Sequence, residues 1–246
     1  MLNMIAIALA PTIALLIFIY QKDRYDREPA QILFKLFIFG FFSTIPVYYV
    51  EKFLLSFNQS PLYVAFVVAG LTEELFKFLV TYNIAFKIYE YNEKLDGIIY
   101  SVFTSLGFAT AENLLYVLNQ RNFIYSGIFR GIFSVPGHML FAISMGYYLS
   151  IAKFANDKGN TYLIRALVIP IILHGIYDYI LFSRVYGYFI IFIAFILFLW
   201  KSGLKKLNLY VRESKERFEK NNKHKLFYVN KNKYVNIFWK CHLKII

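Results

Sequence analysis

The stretch LYVAFVVAGLTEELFKFLVTYNIAF (62–86) is a long apolar run with three charged residues in its middle. A transmembrane helix needs about 20 predominantly apolar residues to cross the hydrocarbon core of a bilayer, so this run is long enough to span it. Glu73, Glu74 and Lys77 then lie at membrane depth, where each charged side chain opposes insertion by about 2.5–3.5 kcal/mol. Because of that cost, ionisable residues in such a helix are candidates for function and are expected to face the bundle interior or a water-filled cavity.

Six further apolar runs flank this one along the chain. The 246 residues are 59% hydrophobic and 17% charged, against about 45–50% and 25% in soluble domains, which disfavours a soluble globular protein. The single cysteine excludes a disulfide framework and a CxxC-type zinc site. The sequence therefore predicts an all-α fold, a polytopic membrane helix bundle of about seven transmembrane helices. The six other runs are 4–20, 32–50, 97–118, 131–152, 164–181 and 186–200.

The formal net charge of +12 is concentrated at the carboxyl end of the chain. Residues 201–246 contain 13 Lys and Arg against 3 Glu, which separates a transmembrane helical domain (1–200) from a basic tail (201–246). Because Lys and Arg favour cytoplasmic loops, their distribution predicts a multi-pass integral protein of the cell membrane with its N-terminus outside and its C-terminus in the cytoplasm. A basic cluster next to a membrane helix is attracted to anionic lipid. The predicted partner of the tail is therefore the bilayer rather than nucleic acid.

Ionisable residues recur in three more of the predicted membrane helices. His174 and Asp178 are four residues apart, so they share a helix face and the carboxylate can orient the imidazole. Glu73 and Lys77 have the same spacing, and the lysine can neutralise one of the two adjacent carboxylates. At about 1.5 Å of rise per residue, these side chains all fall between the midplane and the outer leaflet. We therefore predict a site that opens to the exterior, completed by Glu112 and His138.

Four motifs on four of these helices resemble those of the PrsW family of intramembrane proteases, which is related to the type II CAAX prenyl proteases. The resemblance extends from residue 72 to residue 178 and implies an intramembrane peptidase, with residues 1–200 as its protease domain. The motifs are TEELFK (72–77), DGIIY (96–100) with GFATAEN (107–113), RGIFSVPGH (130–138) with GYY (146–148), and HGIYD (174–178).

The resemblance also implies roles for individual residues in a glutamic-type mechanism, in which carboxylates and imidazoles activate a water for peptide hydrolysis. Glu73 would be the general base, with His138 helping to hold the water. His174 and Asp178 would polarise the scissile carbonyl or stabilise its oxyanion, and Glu74 would tune the catalytic set. The supporting residues would be Lys77 as a structural counter-ion, Glu112 and Asn113.

The residue types leave the metal dependence of this chemistry open. Two histidines and one carboxylate can hold zinc with a water at the open position. Such a site would use His138, His174 and either Glu73 or Glu112. We predict no cofactor, because of the resemblance to the CAAX proteases, and keep zinc as the alternative.

The resemblance implies a membrane-anchored protein substrate, cut near the external side. In this family an anti-sigma factor is a known substrate type, cut in regulated proteolysis. Two other functions stay open: a proton- or ion-coupled membrane transporter, because carboxylate and histidine chains also relay protons, and a non-catalytic membrane scaffold. The sequence contains no visible inverted repeat of the kind found in transporters. An eroded acidic motif, expected of a scaffold, is also not seen, because Glu73 and Glu74 are intact.

Overall fold

The structure, a computed structural model, describes residues 2–119, 122–155, 158–183, 185 and 187–242, and for Leu2 and residues 224–242 it describes the backbone alone. Within these ranges the chain forms helices and no strand, which confirms the predicted all-α fold. Two π-helical segments, Val64–Leu71 and Arg130–Ser134, interrupt the α-helices. The α-helices are α1 (Leu2–Lys22), α2 (Ala30–Phe42), α3 (Thr44–Leu54), α4 (Pro61–Tyr63), α5 (Thr72–Ala85), α6 (Lys94–Asn119), α7 (Phe123–Phe129), α8 (Val135–Phe154), α9 (Gly159–Phe182) and α10 (Tyr188–His242).

Six stretches of the described chain are long and apolar enough to cross a membrane. The predicted run 62–86 adds a seventh helical stretch, which continues from α4 through the first π-helical segment into α5. The prediction of a polytopic bundle of about seven membrane helices is thereby confirmed. The six stretches are Asn3–Lys22, Ala30–Leu54, Lys94–Asn119, Phe123–Phe154, Gly159–Phe182 and Tyr188–Lys223.

Helix α6 lies at the centre of the bundle, where small residues let its neighbours approach closely. A Cβ atom added at Gly146 of α8 would collide with the backbone of Gly97 and Ile98 in α6. A Cβ atom at Gly107 would collide in the same way with the backbone of Phe37 in α2. Close backbone contact through glycine is a common way for membrane helices to pack. These contacts hold α6 tightly against the helices on either side of it.

Both π-helical segments directly precede residues that the sequence predicts to be functional. The segment Val64–Leu71 ends one residue before α5, which carries Glu73. The segment Arg130–Ser134 leads into α8, which carries His138. A π-helical turn changes which way the following side chains point, and such turns are frequent at functional sites. The two segments therefore set the direction in which α5 and α8 present their polar residues.

Helix α10 continues beyond residue 200, where the sequence suggested the start of a separate tail. Its membrane stretch, Tyr188–Lys223, is 36 residues long, which is more than a single crossing needs. Lys206 donates a hydrogen bond to Ser144 of α8 at 2.9 Å, and the ring of Tyr210 stacks on Tyr147 at 5.0 Å. The boundary at residue 200 stays a prediction. The aromatic and basic side chains beyond residue 223 lie outside the described residues.

Candidate active site

Four helices bring together every residue that the sequence analysis assigned to the site. Helix α5 supplies three charged side chains on one face, because their positions are separated by three and four residues. Helices α6, α8 and α9 supply the others, and these three helices pack directly against one another or against α5. The predicted site residues are Glu73, Glu74 and Lys77 on α5, Glu112 and Asn113 on α6, His138 on α8, and His174 and Asp178 on α9.

The ammonium group of Lys77 lies at the centre of this cluster. Its Nζ donates to Glu73 Oε2 at 3.0 Å and to Glu74 Oε1 at 2.8 Å. It also lies 3.0 Å from His138 Nδ1 and 4.3 Å from the centre of the Phe108 ring. An ammonium has three hydrogens to donate, so all three are used. Lys77 therefore contacts both carboxylates and an imidazole, whereas the sequence predicted that it would neutralise one carboxylate.

The contacts of His138 indicate which ring nitrogen carries its proton. The Lys77 ammonium can only donate, so Nδ1 of His138 must accept. The other nitrogen, Nε2, lies 2.8 Å from Glu112 Oε2 and therefore donates to that carboxylate. The backbone carbonyl of His138 accepts a bond from Ser105 at 3.0 Å. His138 is thus a neutral imidazole with a fixed tautomer that links α5 to α6.

One residue that contacts the cluster, Arg130, was not among the predicted site residues. Its Nη2 lies 2.9 Å from Glu112 Oε1, and its Nε donates to Asn113 Oδ1 at 3.1 Å. Asn113 in turn donates to the carbonyl of Ala8 in α1 at 2.7 Å. The signal in the sequence was a basic residue about two turns before His138, at the edge of an apolar run. The guanidinium neutralises Glu112 and ties α6 to the π-helical segment.

His174 stands between two carboxylates on different helices. Its Nδ1 lies 2.9 Å from Glu74 Oε1, and its Nε2 lies 3.3 Å from Asp178 Oδ2. The second distance is longer than a strong charge-assisted bond, which is about 2.7–2.9 Å. The ring of Phe141 stacks on the imidazole with 5.0 Å between centroids. These contacts hold the imidazole ring in place. The contact with Asp178 is weaker than the contact with Glu74.

The exposed fraction of the carboxylate side chains increases from one side of the cluster to the other. The side chain of Glu74 is fully buried at 0% and that of Glu73 is 8% exposed. Asp178 is 14% exposed and Glu112 is 20% exposed, which makes them the most open members of the site. Both lie farther along their helices in the direction that the sequence predicts to be external. A ligand would therefore meet Glu112 and Asp178 first and Glu73 next.

Four of these residues form a set of donors that fits a metal ion by its chemistry. One ligand atom from each of Glu73, Glu74, His138 and His174 lies within 4.8 Å of the other three. Two imidazole nitrogens and two carboxylate oxygens are typical zinc ligands. Glu74 Oε2 is also buried without a hydrogen-bond partner. The sequence predicted one carboxylate, Glu73 or Glu112, beside the two histidines. The donor set in the structure contains Glu73 and adds Glu74.

Lys77 competes for the space that such an ion would use. Its Nζ lies within 3.0 Å of three of the four residues in the donor set. An ammonium and a metal ion cannot share this position, because both are cations that need the same oxygen and nitrogen atoms. Metal binding among these donors would therefore require the ammonium to withdraw.

Comparison with known proteins identifies relatives along most of the chain. Residues 28–200 match the family model described as PrsW family intramembrane metalloprotease. The chain is 42% identical over 226 residues to Protease PrsW of Clostridioides difficile (strain 630), covering 88% of this chain and 95% of that protein. It is 38% identical over 210 residues to Protease PrsW of Geobacillus kaustophilus (strain HTA426), covering 84% and 92%. It is 34% identical over 209 residues to Protease PrsW of Bacillus subtilis (strain 168), covering 84% and 94%.

No solved structure gives a significant match to the chain. The resemblance noted from four motifs nevertheless extends over most of the sequence, because the matched region includes α2 and α3 and continues into α10. It also includes all four helices that supply the polar cluster. The chain belongs to the PrsW family of intramembrane proteases.

Proposed function

We propose that this protein is an intramembrane endopeptidase that hydrolyses a peptide bond of a membrane-anchored protein substrate with a water activated by glutamate and histidine. The observation that carries the proposal is the convergence of Glu73, Glu74, His138 and His174 within 4.8 Å inside an apolar bundle. Amide hydrolysis needs a base for the attacking water, a donor for the oxyanion and an acid for the leaving amine. The cluster contains a group for each of these tasks.

Glu73 is the best placed general base. Its Oε2 lies 3.9 Å from His138 Nδ1 and 4.0 Å from His174 Nδ1, so a water beside it has both imidazoles within reach. Glu73 is also more exposed than Glu74, whose Oε1 is already engaged by Lys77 and His174. The Glu73 carboxylate takes a proton from the water while the water oxygen bonds to the scissile carbonyl carbon. The same proton then passes to the leaving nitrogen as the C–N bond breaks.

His174 is the group best placed to stabilise the oxyanion. Its Nδ1 is held by Glu74 at 2.9 Å, while the contact from Nε2 to Asp178 is longer at 3.3 Å. As negative charge develops on the carbonyl oxygen, this oxygen can accept the hydrogen bond from Nε2–H in place of Asp178. Donors aimed at an oxyanion in a water-excluded site act more strongly than they would in water. Asp178 would hold the imidazole in position before the reaction.

The metalloprotease description of the family adds a second way to activate the same water. A zinc ion would be held by His138, His174 and one of the carboxylates Glu73 and Glu74, and it would supply Lewis acidity and lower the pKa of a water at its open position to about 7. Under that chemistry Lys77 must leave its position among the donors. The residues Phe108 and Phe141 would exclude bulk water in either case.

The substrate we propose is a membrane-anchored protein that is cut near the external side, of the anti-sigma-factor type. The partly exposed carboxylates Glu112 and Asp178 mark the side of the cluster from which a peptide can enter. The distribution of Lys and Arg in the sequence predicts that this side is external. A substrate with a single membrane helix can unwind there and present a backbone carbonyl to Glu73.

The proposal is tested with the purified chain in liposomes and a single-span fusion protein as substrate. Glu73→Gln and Glu74→Gln keep the side-chain volume and remove one charge each. Glu73→Gln should lower cleavage by about 10²–10⁴-fold, the range of general acid–base effects, and Glu74→Gln by about 10–100-fold, the range for a group that orients another site residue. The control is Glu216→Gln, an exposed change on α10. Full cleavage by both active-site variants would overturn the proposal. A chelator arm in the same assay separates metal-dependent from metal-free hydrolysis.

A further inference from the structure

A second group of buried carboxylates lies at the opposite end of α6 from Glu112. Asp23 follows α1, Glu93 precedes α6, and Asp96 belongs to the first turn of α6. Asp96 and Glu112 are 16 residues apart, so about 24 Å of helix separates this group from the candidate active site. One carboxylate oxygen from each of the three acidic residues lies within 4.8 Å of the other two. The proteolytic chemistry proposed above uses none of them.

Hydrogen bonds from the backbone hold one oxygen of each aspartate and leave the other oxygen without a partner. Asp23 Oδ2 accepts from the amide of Glu28 at 2.8 Å. Asp96 Oδ2 accepts from the amides of Asn92 and Glu93, both at 2.8 Å. The Oδ1 atoms of Asp23 and Asp96 are buried and have no hydrogen-bond partner, and both residues are 0% exposed. The two carboxylates are thus fixed in direction before any ligand binds.

Glu93 completes the group with a carboxylate whose two oxygens both lack a hydrogen-bond partner. The residue is 7% exposed. The guanidinium of Arg217 lies 3.7 Å from Oε2, which is beyond hydrogen-bond distance. Buried polar atoms in folded proteins are nearly always satisfied, so orphaned carboxylate oxygens that face one another indicate an unseen partner. That partner must supply positive charge or protons, because a carboxylate can only accept.

The electrostatic cost of the group supports a positively charged partner. Three buried carboxylates lie within 4.8 Å of one another, so desolvation and mutual repulsion both disfavour their charged forms. Glu28, a fourth buried carboxylate, accepts a hydrogen bond from Tyr100. A cation in contact with several carboxylates offsets both the burial and their mutual repulsion.

One member of the group, Glu93, lines a cavity. A cavity of about 370 Å³ is lined by Glu93 together with residues of α10, among them Tyr210, Ser214 and Arg217. The Oγ of Ser214 is buried there without a hydrogen-bond partner as well. Small hydrated cations fit a cavity of this size.

We propose that Asp23, Glu93 and Asp96 form a divalent-cation site that joins the segment after α1 to the start of α6. Carboxylate oxygens without nitrogen or sulfur donors select hard cations such as Mg²⁺, Ca²⁺ and Mn²⁺. Three carboxylates leave room for waters, which Mg²⁺ and Mn²⁺ usually retain. The bound cation stabilises the bundle at the end remote from Glu73. The proposal stands on the contacts of this group and is independent of the proteolytic activity.

Binding is tested with Mn²⁺ alone as the probe, detected by electron paramagnetic resonance on the full chain in phosphatidylcholine nanodiscs. The double variant Glu73→Gln/Glu74→Gln serves as the reference, because it removes the carboxylates of the other candidate metal site. We expect one equivalent of Mn²⁺ per chain in this reference, displaced by Ca²⁺ or Mg²⁺. Absence of binding at about 1 mM, a concentration at which even weak Ca²⁺ modules are occupied, would overturn the proposal.

Two further substitutions in the reference chain assign the ligands. Asp96→Asn keeps an oxygen for the backbone amides, and Glu93→Gln breaks no hydrogen bond. Each should weaken Mn²⁺ affinity at least about tenfold, as expected when a group that holds the metal site is changed. Glu219→Gln, a change at an exposed position of α10, should leave the affinity unaltered. Unchanged affinity in Glu93→Gln would overturn the site even if Asp96→Asn failed to fold.

Discussion

Lys77 Nζ lies 3.0 Å from His138 Nδ1 while it also bonds to Glu73 and Glu74. One buried ammonium therefore links two carboxylates on α5 to the imidazole that α8 contributes. The three donors of the ammonium are all used, so each of its contacts depends on the position of the others. This relationship makes Lys77 both the counter-ion of the candidate site and the competitor of any metal that binds there.

Lys77→Met should destabilise the fold and raise the affinity for Zn²⁺. The methionine has a similar length and no charge, so Glu73 and Glu74 lose their buried partner. Removing one member of a buried ion pair typically costs about 3–5 kcal/mol. Thermal unfolding in detergent measures this loss, and titration with Zn²⁺ measures the gain, since no ammonium then occupies the donor set. Unchanged Zn²⁺ affinity in folded Lys77→Met would contradict the competition.

Arg130→Lys should lower the rate of cleavage although it keeps the charge. The guanidinium reaches Glu112 and Asn113 at once through different nitrogens, and an ammonium does not reproduce this planar geometry. Glu112 then holds His138 less firmly, and we expect a decrease of about 10–100-fold in kcat, the range seen when a group that orients a site ligand is changed. The steady-state kinetics of the liposome assay measure it. Wild-type kcat in Arg130→Lys would show that this orientation is unimportant.

Charged side chains inside apolar runs are rare, so the sequence could single out the residues that converge in the polar cluster. The contacts between helices could not be predicted from the sequence in the same way. Nothing in the spacing of Glu73, Glu74 and Lys77 indicates that the ammonium also reaches His138, since that contact depends on how α5 and α8 pack. Arg130 was missed because it lies just before the apolar run 131–152, whereas it belongs to a π-helical segment and contacts Glu112.

The sequence pattern also did not predict how far α10 extends. Hydropathy falls after Trp200, so the apolar run ends there, but helical structure needs only that the backbone hydrogen bonds continue. Lys206 and Tyr210 then pack against α8 through a hydrogen bond and a stacked ring. A basic segment can thus belong to the bundle when its charges find polar partners on a neighbouring helix.

Gly146→Ala should destabilise the bundle more than a glycine substitution in open space. An added Cβ at Gly146 collides with the backbone of Gly97, which cannot move without displacing α6 from α8. Overpacking of this kind costs typically about 1–3 kcal/mol. The matched control is Gly187→Ala, where an added Cβ has no atom within 4 Å. Thermal unfolding of both variants in the same nanodiscs gives the difference, and equal unfolding temperatures would contradict the close approach of α6 and α8.

Asp178→Asn should retain much more activity than Glu73→Gln. In the proposed reaction Asp178 only positions His174, to which its Oδ2 lies at the long distance of 3.3 Å. An amide oxygen can still accept a bond from Nε2–H, although it no longer favours the charged imidazole. We therefore expect a loss within about tenfold for Asp178→Asn, against about 10²-fold or more for the variant without a general base. A loss equal to that of Glu73→Gln would instead assign Asp178 to proton transfer.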